Sequence, residues 1–374
     1  MIARIIEKQI QEKLFQWKII ILYGARQVGK TTLSKKIISE YAWKFQYLNC
    51  DLYSTQQVLD YKNPEKFIQA FRNEDFIVLD EAQNIPNIWM ILKILGEEYP
   101  QKQFIATGSS SFDLANILNE ALTGRNFKFF LYGISIEELL HHYDTFYVEK
   151  NIENFLLYGS YPEVLQVSQD QKQEQLNLLS GDYLYRDVFK LDGIKKSSYV
   201  QSILQLLALQ LWNEVSYNEI AQQLGLHRAT VQKYINLLEQ AFIIFTLSSF
   251  SRNARNEIRK GVKIYFYDLW VRNSLVQNFN SLNIRDDRGA LWENFLIIER
   301  KKYLQNNKLY RNIYFWRNHL QAKIDYVEEY DGGLHTYEFK WKEKKAKIPK
   351  AFLDSYPNST FSVIHQNNFL KFVG

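Results

Sequence analysis

One stretch of the chain combines glycines, a lysine and hydroxyl groups at the spacing of a phosphate-binding loop. Residues 24–32 read Gly-Ala-Arg-Gln-Val-Gly-Lys-Thr-Thr and fit the pattern G-x-x-x-x-G-K-[ST]. The two glycines let the backbone curl so that its N–H groups converge on a β-phosphate. The lysine then reaches the β- and γ-phosphates, and the first threonine ligates Mg²⁺. The pattern predicts binding of ATP and Mg²⁺ through Gly24, Ala25, Arg26, Gln27, Val28, Gly29, Lys30, Thr31 and Thr32.

An acidic pair ends an apolar run farther along the chain. Residues 76–79 are apolar and are followed by Asp80 and Glu81, with Asp80 standing 50 positions after Lys30. In P-loop enzymes the first acid holds the Mg²⁺ shell and the second polarises the attacking water. We therefore expect Thr31 and Asp80 to share the metal ion, and Lys30, Asp80 and Glu81 to be catalytic.

Two further residues are predicted to act on the γ-phosphate. Ser109 follows the apolar run 104–107, where its hydroxyl would sense the phosphate; the alternative is an N-cap for a helix at 114–118. Arg125 follows Thr123-Gly124 and could stabilise transition-state charge as an arginine finger, from a neighbouring subunit or from its own. The alternative for Arg125 is a surface salt bridge.

Charged residues also fall on apolar strands near the C-terminus. Asp325 lies in one predicted strand, while Glu338 and Lys340 share a face of the next, and Glu293 lies on a predicted amphipathic helix at 292–299. Two carboxylates with an adjacent cation can hold Mg²⁺ for phosphodiester cleavage. Such triplets are common in lysine-rich chains, so the pattern gives a candidate nuclease site and no more.

Residues 216–238 have the spacing of a helix-turn-helix, with a turn at Gly225 and a wing strand expected at 242–247. The stretch 252–263 adds five positive residues and one negative residue just beyond the wing. The segment indicates DNA contact, although the same fold also serves as a packing or protein-binding module. The candidate DNA contacts are Arg228, Thr230, Gln232, Lys233, Arg252 and Arg255.

These side chains need a scaffold, and the apolar runs indicate one. Short apolar runs at 19–23, 45–48, 76–79, 104–107 and 127–131 alternate with helical patterns, which is typical of a parallel sheet covered by helices. Residues 150–195 are predicted to be helical. The length of 374 residues favours two or three domains.

Composition limits the class of protein. Residues 1–251 carry 24 Lys and Arg against 28 Asp and Glu, a net of −4, whereas residues 252–374 carry 22 against 13, a net of +9. This asymmetry suggests an anionic partner for the C-terminal third, or else a solvated basic face. A single cysteine, Cys50, excludes a disulfide framework and a cysteine-based zinc site. Neither a signal peptide nor a membrane span is apparent, so we expect a cytoplasmic protein that does not enter a membrane.

The ordered motifs together resemble a family of bacterial and archaeal P-loop ATPases related to the AAA+ class. In that family the ATPase domain precedes a winged helix and a region resembling the restriction-endonuclease (PD-(D/E)xK) fold. The resemblance implies ATP and Mg²⁺ as cofactors and gives Lys30, Thr31, Asp80 and Glu81 the roles above. Tyr23 departs from the family, in which small or hydroxyl residues are commoner before the loop. The matching segments are 24–32, 80–83 with Pro86 and Trp89, 107–110, 124–125, 159–163, 265–268, 291–294 and 316–340.

The expected fold class is α/β: a P-loop NTPase parallel sheet, followed by a winged-helix domain and an α/β restriction-endonuclease-like domain. The expected domains are an ATPase domain at 1–150, a helical connector at 151–195, a winged helix at 196–284 and a nuclease-like domain at 285–374. We expect a Mg²⁺-dependent ATPase that engages DNA. The alternatives are an ATP-regulated nuclease using Asp325, Glu338 and Lys340, and a non-catalytic switch that binds protein partners. A homo-oligomer is compatible with each of these interpretations.

Overall fold

The apolar run at 19–23 is one strand of a five-stranded parallel sheet. The computed structural model describes residues 2–40, 44–109, 124–180, 197–251, 261–318 and 320–374. The sheet has the order β2-β3-β4-β1-β5. Every residue of β1, β3 and β4 is buried, because helices cover both faces of such a sheet. The five predicted strands are confirmed within one residue at each end, as β1 (Ile19–Tyr23), β2 (Phe45–Asn49), β3 (Phe76–Asp80), β4 (Gln103–Gly108) and β5 (Asn126–Phe130).

All neighbouring strands of this sheet are parallel, so their carboxyl ends lie along one edge. The phosphate-binding loop follows β1 at this edge, the acidic pair ends β3, and Ser109 follows β4. The fold therefore gathers three predicted parts of the site. The accompanying helices are α1 (Ile5–Gln11), α2 (Lys30–Ser39), α3 (Tyr53–Val58), α4 (Pro64–Ala70) and α5 (Ile88–Glu98).

The chain folds as two compact units. The first comprises Met1–Gly133 with Gln240–Phe242, and the second comprises Ile134–Glu239 with Ile243–Gly374. The finer boundaries at residues 150, 195 and 284 stay predictions.

The second unit begins with short helices and continues into three helices beside a small antiparallel sheet of order β6-β8-β7. The turn between the two helices of the predicted helix-turn-helix has Gly225 in the left-handed region, at φ 63°. The elements are α6 (Ile136–His142), α7 (Thr145–Lys150), α8 (Ile152–Tyr158), α9 (Pro162–Gln166), α10 (Lys172–Leu179), α11 (Ser197–Leu209), β6 (Glu214–Val215), α12 (Tyr217–Leu224), α13 (Arg228–Gln240), β7 (Ile244–Ser248), β8 (Val262–Phe266) and α14 (Leu269–Leu275).

The C-terminal part of this unit has a four-stranded sheet of order β12-β11-β10-β9. The pairs β9–β10 and β10–β11 are antiparallel, and β11–β12 is parallel. Most residues of the preceding helix are buried, including its charged Glu293, Glu299 and Lys302, so the predicted amphipathic character is wrong. This helix packs against β8, α8 and α14, against β11 (Gly333–Phe339) and against α17 (Leu370–Val373), so none of its residues is exposed. The elements are α15 (Arg288–Asn306), β9 (Asn312–Arg317), β10 (Lys323–Tyr330), β11 (Gly333–Phe339), α16 (Lys350–Ser355), β12 (Thr360–Ile364) and α17 (Leu370–Val373).

Candidate functional site

The predicted phosphate-binding residues form a continuous loop between β1 and α2. Gly29 has φ 101° and ψ 20°, a left-handed conformation that favours glycine, and helix α2 begins at the next residue. A Cβ atom on Gly24 would lie 2.2 Å from the carbonyl oxygen of Leu131, so a side chain would not fit there. The loop therefore requires glycine at both positions of the motif.

The Lys30 ammonium lies against the loop itself. Its Nζ donates to the carbonyl oxygens of Gly24 and Ala25, each at 2.9 Å, and the side chain is buried. The helix that starts here also directs its positive end toward the loop. Positive charge is thus concentrated at the segment that the sequence assigns to phosphate binding.

Arg4, in the N-terminal segment, stabilises the loop although it lies outside the motif. Arg4 donates from Nη1 to the Val28 carbonyl at 2.9 Å and from Nη2 to the Tyr132 carbonyl at 2.6 Å. Its guanidinium therefore ties the loop to the segment that follows β5. Sequence reasoning missed Arg4, because nothing in the pattern around it differs from an ordinary surface arginine.

Asp80 is the acceptor of three hydroxyl groups at the end of β3. Thr31 donates from Oγ1 to Asp80 Oδ2 at 2.7 Å, Tyr47 donates to the same oxygen, and Thr107 donates to Oδ1. The Asp80 side chain is buried. The structure thus brings the two predicted metal ligands together. Because Thr31 gives its proton to Asp80, its oxygen lone pairs remain available to a cation.

Tyr47 and Thr107 are further residues of this site whose roles the sequence did not reveal. Burial and the adjoining Asp80 carboxylate raise the pKa of Tyr47 well above its ordinary value, so the phenol stays protonated and donates. Thr107 also accepts a hydrogen bond from the Glu81 backbone N–H at 3.1 Å. Thr107 therefore connects both members of the acidic pair.

Glu81 leaves the strand in an unusual conformation. Its φ of 54° lies in the left-handed region, which few residues other than glycine adopt. The Gln83 amide nitrogen then donates to Glu81 Oε2 at 2.5 Å and to Ser109 Oγ at 3.1 Å. Glu81 and Ser109, which are distant in sequence, are linked through this one amide.

Arg125 lies away from the phosphate-binding loop of its own chain. Asn126, the next residue, pairs with Ile19 at the start of β1, whereas the loop follows the end of that strand. A five-residue strand separates these points by about 16 Å. Arg125 instead forms an exposed ion pair with Glu97. A role at the site of a neighbouring subunit stays a prediction.

The predicted nuclease residues also converge, within the second unit. Each carboxylate lies beside a lysine: Glu293 Oε1 is 2.8 Å from Lys263 Nζ, Asp325 Oδ1 is 3.4 Å from Lys323 Nζ, and Glu338 Oε1 is 2.6 Å from Lys340 Nζ. Burial raises the pKa of Glu293, and burial followed by the nearby Asp325 charge raises that of Glu338.

The donor set of this cluster does not favour a metal ion. Within the described ranges, no three His, Cys, Asp or Glu side chains lie together as ligands for a metal. Each of the three carboxylates already has its own ammonium partner. The cluster therefore resembles a set of ion pairs, of which Lys263–Glu293 is buried, more than an open cation site.

The predicted DNA contacts on α13 differ in exposure. Arg228, Gln232 and Lys233 are exposed and Thr230 is half-buried, whereas Val231 and Ile235 of the same helix are buried. Arg252 and Arg255 lie outside the described residues, as does the expected helix at 114–118. The helix thus presents two cations and an amide to solvent.

Comparison with known families divides the chain in three. Residues 16–140 match a family described as an AAA domain. Residues 149–283 and 288–371 match two families described as domains of unknown function, DUF8612 and DUF4143. The recognised chemistry therefore lies in the part of the chain that contains the loop and the acidic pair.

Similar proteins extend over most of the chain. An uncharacterized protein of Methanocaldococcus jannaschii is 25% identical over 335 residues, which cover 82% of this chain and 72% of that protein. One of Mycobacterium tuberculosis is 24% identical over 346 residues, covering 89% and 72%. A Walker-type ATPase of Pyrococcus abyssi superimposes with a TM-score of 0.52 at 16% identity, covering 74% of this chain and 96% of that one. At this identity the likeness concerns the fold.

The AAA-domain match, the parallel sheet and this structural likeness support a P-loop ATPase fold with an ATP-binding ATPase domain in the N-terminal part. Among the residues that the structure describes, no helix has both the length and the apolar character needed to cross a bilayer.

Proposed function

We propose that this protein is a Mg²⁺-dependent ATPase. The observation that carries the proposal is the contact of Thr31 with Asp80 at the end of a loop whose Lys30 is buried. A hydroxyl and one carboxylate are a suitable donor set, because Mg²⁺ is commonly held by one or two carboxylates together with substrate phosphates and water. The group of residues thus fits Mg²⁺ with a nucleoside triphosphate.

The side chains then have separate tasks. Lys30 binds the β- and γ-phosphates, while Thr31 and Asp80 hold the metal. Bound Mg²⁺ supplies charge neutralisation to the phosphates. Glu81 takes the proton of the attacking water. Ser109, which accepts a hydrogen bond from the Gln83 amide, senses the γ-phosphate.

The first test replaces the loop lysine. Lys30→Ala should abolish turnover and the rise in melting temperature that Mg²⁺-ATP produces, because the phosphates lose their principal cation. Lys93→Ala, which removes an exposed lysine of α5, is the matched control and should behave like the wild type. Unchanged turnover in Lys30→Ala would exclude this assignment of the loop.

We further propose that the second unit engages DNA. The support is the net charge of +9 on residues 252–374 and the exposed Arg228, Gln232 and Lys233 on α13. Binding to a fluorescent duplex should weaken steeply between about 50 and 200 mM salt, because phosphate contacts release counterions. Arg228→Ala with Lys233→Ala should lower the affinity and the salt slope, whereas Lys62→Ala with Lys66→Ala removes two exposed charges of the first unit and should do neither.

The same experiment separates the alternatives. If the protein does not bind the duplex, or if its affinity for the duplex does not depend on salt, the switch that binds protein partners is favoured. Incubation of the wild type with Mg²⁺ or Mn²⁺ tests the nuclease alternative directly. If supercoiled and branched DNA remain intact, the nuclease alternative is refuted, and Asp325, Glu338 and Lys340 serve only as members of the ion-paired cluster.

A further inference from the structure

Gln83 occupies the position between the two residues expected to act on water and γ-phosphate. It lies in the short 3-10 helix Ala82–Asn84, two residues after Glu81. Its Nε2 donates both to Glu81 Oε2 at 2.5 Å and to Ser109 Oγ at 3.1 Å. The AAA-domain match covers this residue but assigns it no role.

The chemistry of its neighbours fixes which way the Gln83 amide faces. An ionised carboxylate only accepts hydrogen bonds, so the NH₂ group must face Glu81. With the amide reversed, the two oxygens would stand 2.5 Å apart and repel. The amide oxygen of Gln83 therefore points away from the carboxylate.

That amide oxygen is buried and accepts no hydrogen bond from any residue that the structure describes. A buried acceptor without a donor is unfavourable, and such groups in native folds commonly mark a missing water or a functional role. Here the acceptor is the amide oxygen of Gln83, whose NH₂ group is hydrogen-bonded to Glu81, the expected catalytic carboxylate.

The backbone around Gln83 is held in a costly conformation. Glu81 has φ 54° and ψ 44°, and its N–H is secured by Thr107 Oγ1. Left-handed residues other than glycine cluster at active sites, where surrounding contacts maintain them. The turn carries Gln83 back beside the Glu81 carboxylate.

We propose that Gln83 is the positioning residue for the attacking water, an inference that rests on the proposed ATPase function. Its amide oxygen accepts one hydrogen of the water, and its NH₂ group holds Glu81 ready to take the other. In the step itself, the water oxygen bonds to the γ-phosphorus and the bond to the β–γ bridging oxygen breaks. The water proton passes to Glu81, and ADP and phosphate leave. A glutamine amide can orient attacking water in this way.

Two variants separate this role from a purely structural one. Gln83→Ala removes the side chain, and Gln83→Met keeps its length and apolar stem without the amide, which guards against a failure of Gln83→Ala to fold. Gln57→Ala, at an exposed glutamine of α3, is the matched control. Melting curves with and without Mg²⁺-ADP first establish that each variant folds and binds nucleotide.

Both Gln83 variants should lower kcat by about 10- to 100-fold and leave KM nearly unchanged. They should also bind ADP with the wild-type affinity but lose affinity for ADP with aluminium fluoride, a mimic of the transferring phosphoryl group. A structural linker would change both affinities together. Gln57→Ala should change neither.

The outcomes are distinguishable. If the wild type hydrolyses ATP and both Gln83 variants match it in kcat and in affinity for the mimic, the role of Gln83 is refuted and the ATPase function stands. If the wild type neither binds nor hydrolyses ATP, the proposed function falls and the role of Gln83 falls with it.

Discussion

At the scale of single residues, the site depends on groups that hold Asp80 in place. Thr31, Tyr47 and Thr107 all donate to its carboxylate. The orientation of a metal-binding carboxylate is set by such neighbours, and their removal commonly costs metal affinity. Tyr47 and Thr107 come from the strands on either side of β3, but Thr107 also accepts from the Glu81 N–H. Tyr47 can therefore be altered without touching the loop or that Glu81 contact.

We predict that Tyr47→Phe raises the Mg²⁺ concentration needed for half-maximal turnover by about 10-fold. The phenyl ring keeps the packing but no longer donates to Asp80, so the carboxylate is less well oriented. Nucleotide affinity measured in EDTA should stay unchanged, because the phosphate-binding loop is intact. Tyr53→Phe, at a tyrosine that is 73% exposed, is the control. An unchanged Mg²⁺ requirement would assign Tyr47 to packing.

The sequence predicts the main site residues because their spacing is dictated by local backbone geometry. A loop motif between a strand and a helix, and acids at the end of a buried strand, are local patterns. Arg4, Tyr47 and Gln83 are different, since each acts through contacts with residues that are distant in sequence. Gln83 lies in the segment 80–83 that matches the family, but only the tertiary contact with Ser109 indicates what it does.

At the scale of elements, α15 shows where sequence patterns fail. Short apolar runs predict the five parallel strands well, because the central strands β1, β3 and β4 are buried and hold no charged residue before their ends. The charged residues of α15 predict a solvent-facing side, yet Arg300 forms a buried ion pair with Glu328 and Lys302 one with Glu299. A buried ion pair such as Arg300–Glu328 cannot be recognised from one sequence, because its partner lies on another element and is supplied by the tertiary fold.

Around α15, a buried carboxylate makes the stability of the second unit depend on pH. Asp268, the N-cap of α14, accepts from the Ser160 backbone at 3.0 Å, and burial raises its pKa from 3.8 to about 6, partly opposed by Lys302. The folded state therefore binds a proton that the unfolded state does not bind between pH 6 and 4. The contribution of Asp268 to the free energy of unfolding therefore increases as pH falls through 6 and is lost as pH rises through 6.

We predict that the wild type gains stability relative to Asp268→Asn between pH 7 and 5, by an amount on the order of 2 kcal/mol or less. Asparagine keeps an oxygen acceptor for Ser160 but does not titrate, so the comparison cancels the effect of all other groups. Denaturant unfolding at both pH values measures the difference. Parallel pH profiles of the two proteins would show that Asp268 does not titrate in this range.

At the scale of the whole molecule, the position of Arg125 decides which phosphate-binding site it can reach. Arg125 lies at the amino end of the parallel sheet, while the loop and acidic pair lie at the carboxyl end. One chain cannot bring these two ends together without breaking the sheet. If Arg125 acts in catalysis, it must therefore act on the site of a second chain.

If Arg125 acts in trans, turnover becomes a property of the assembly. We predict that turnover per chain rises with protein concentration, and that Arg125→Ala removes the rise while leaving nucleotide binding intact. Glu97→Gln is the matched control, because it releases the Arg125 guanidinium from its exposed ion pair without removing it. If Arg125 serves only that ion pair, both variants will behave alike and turnover per chain will not change on dilution. If Arg125 completes a neighbouring site, Glu97→Gln will keep the concentration dependence that Arg125→Ala loses, because the freed arginine can still reach the second chain.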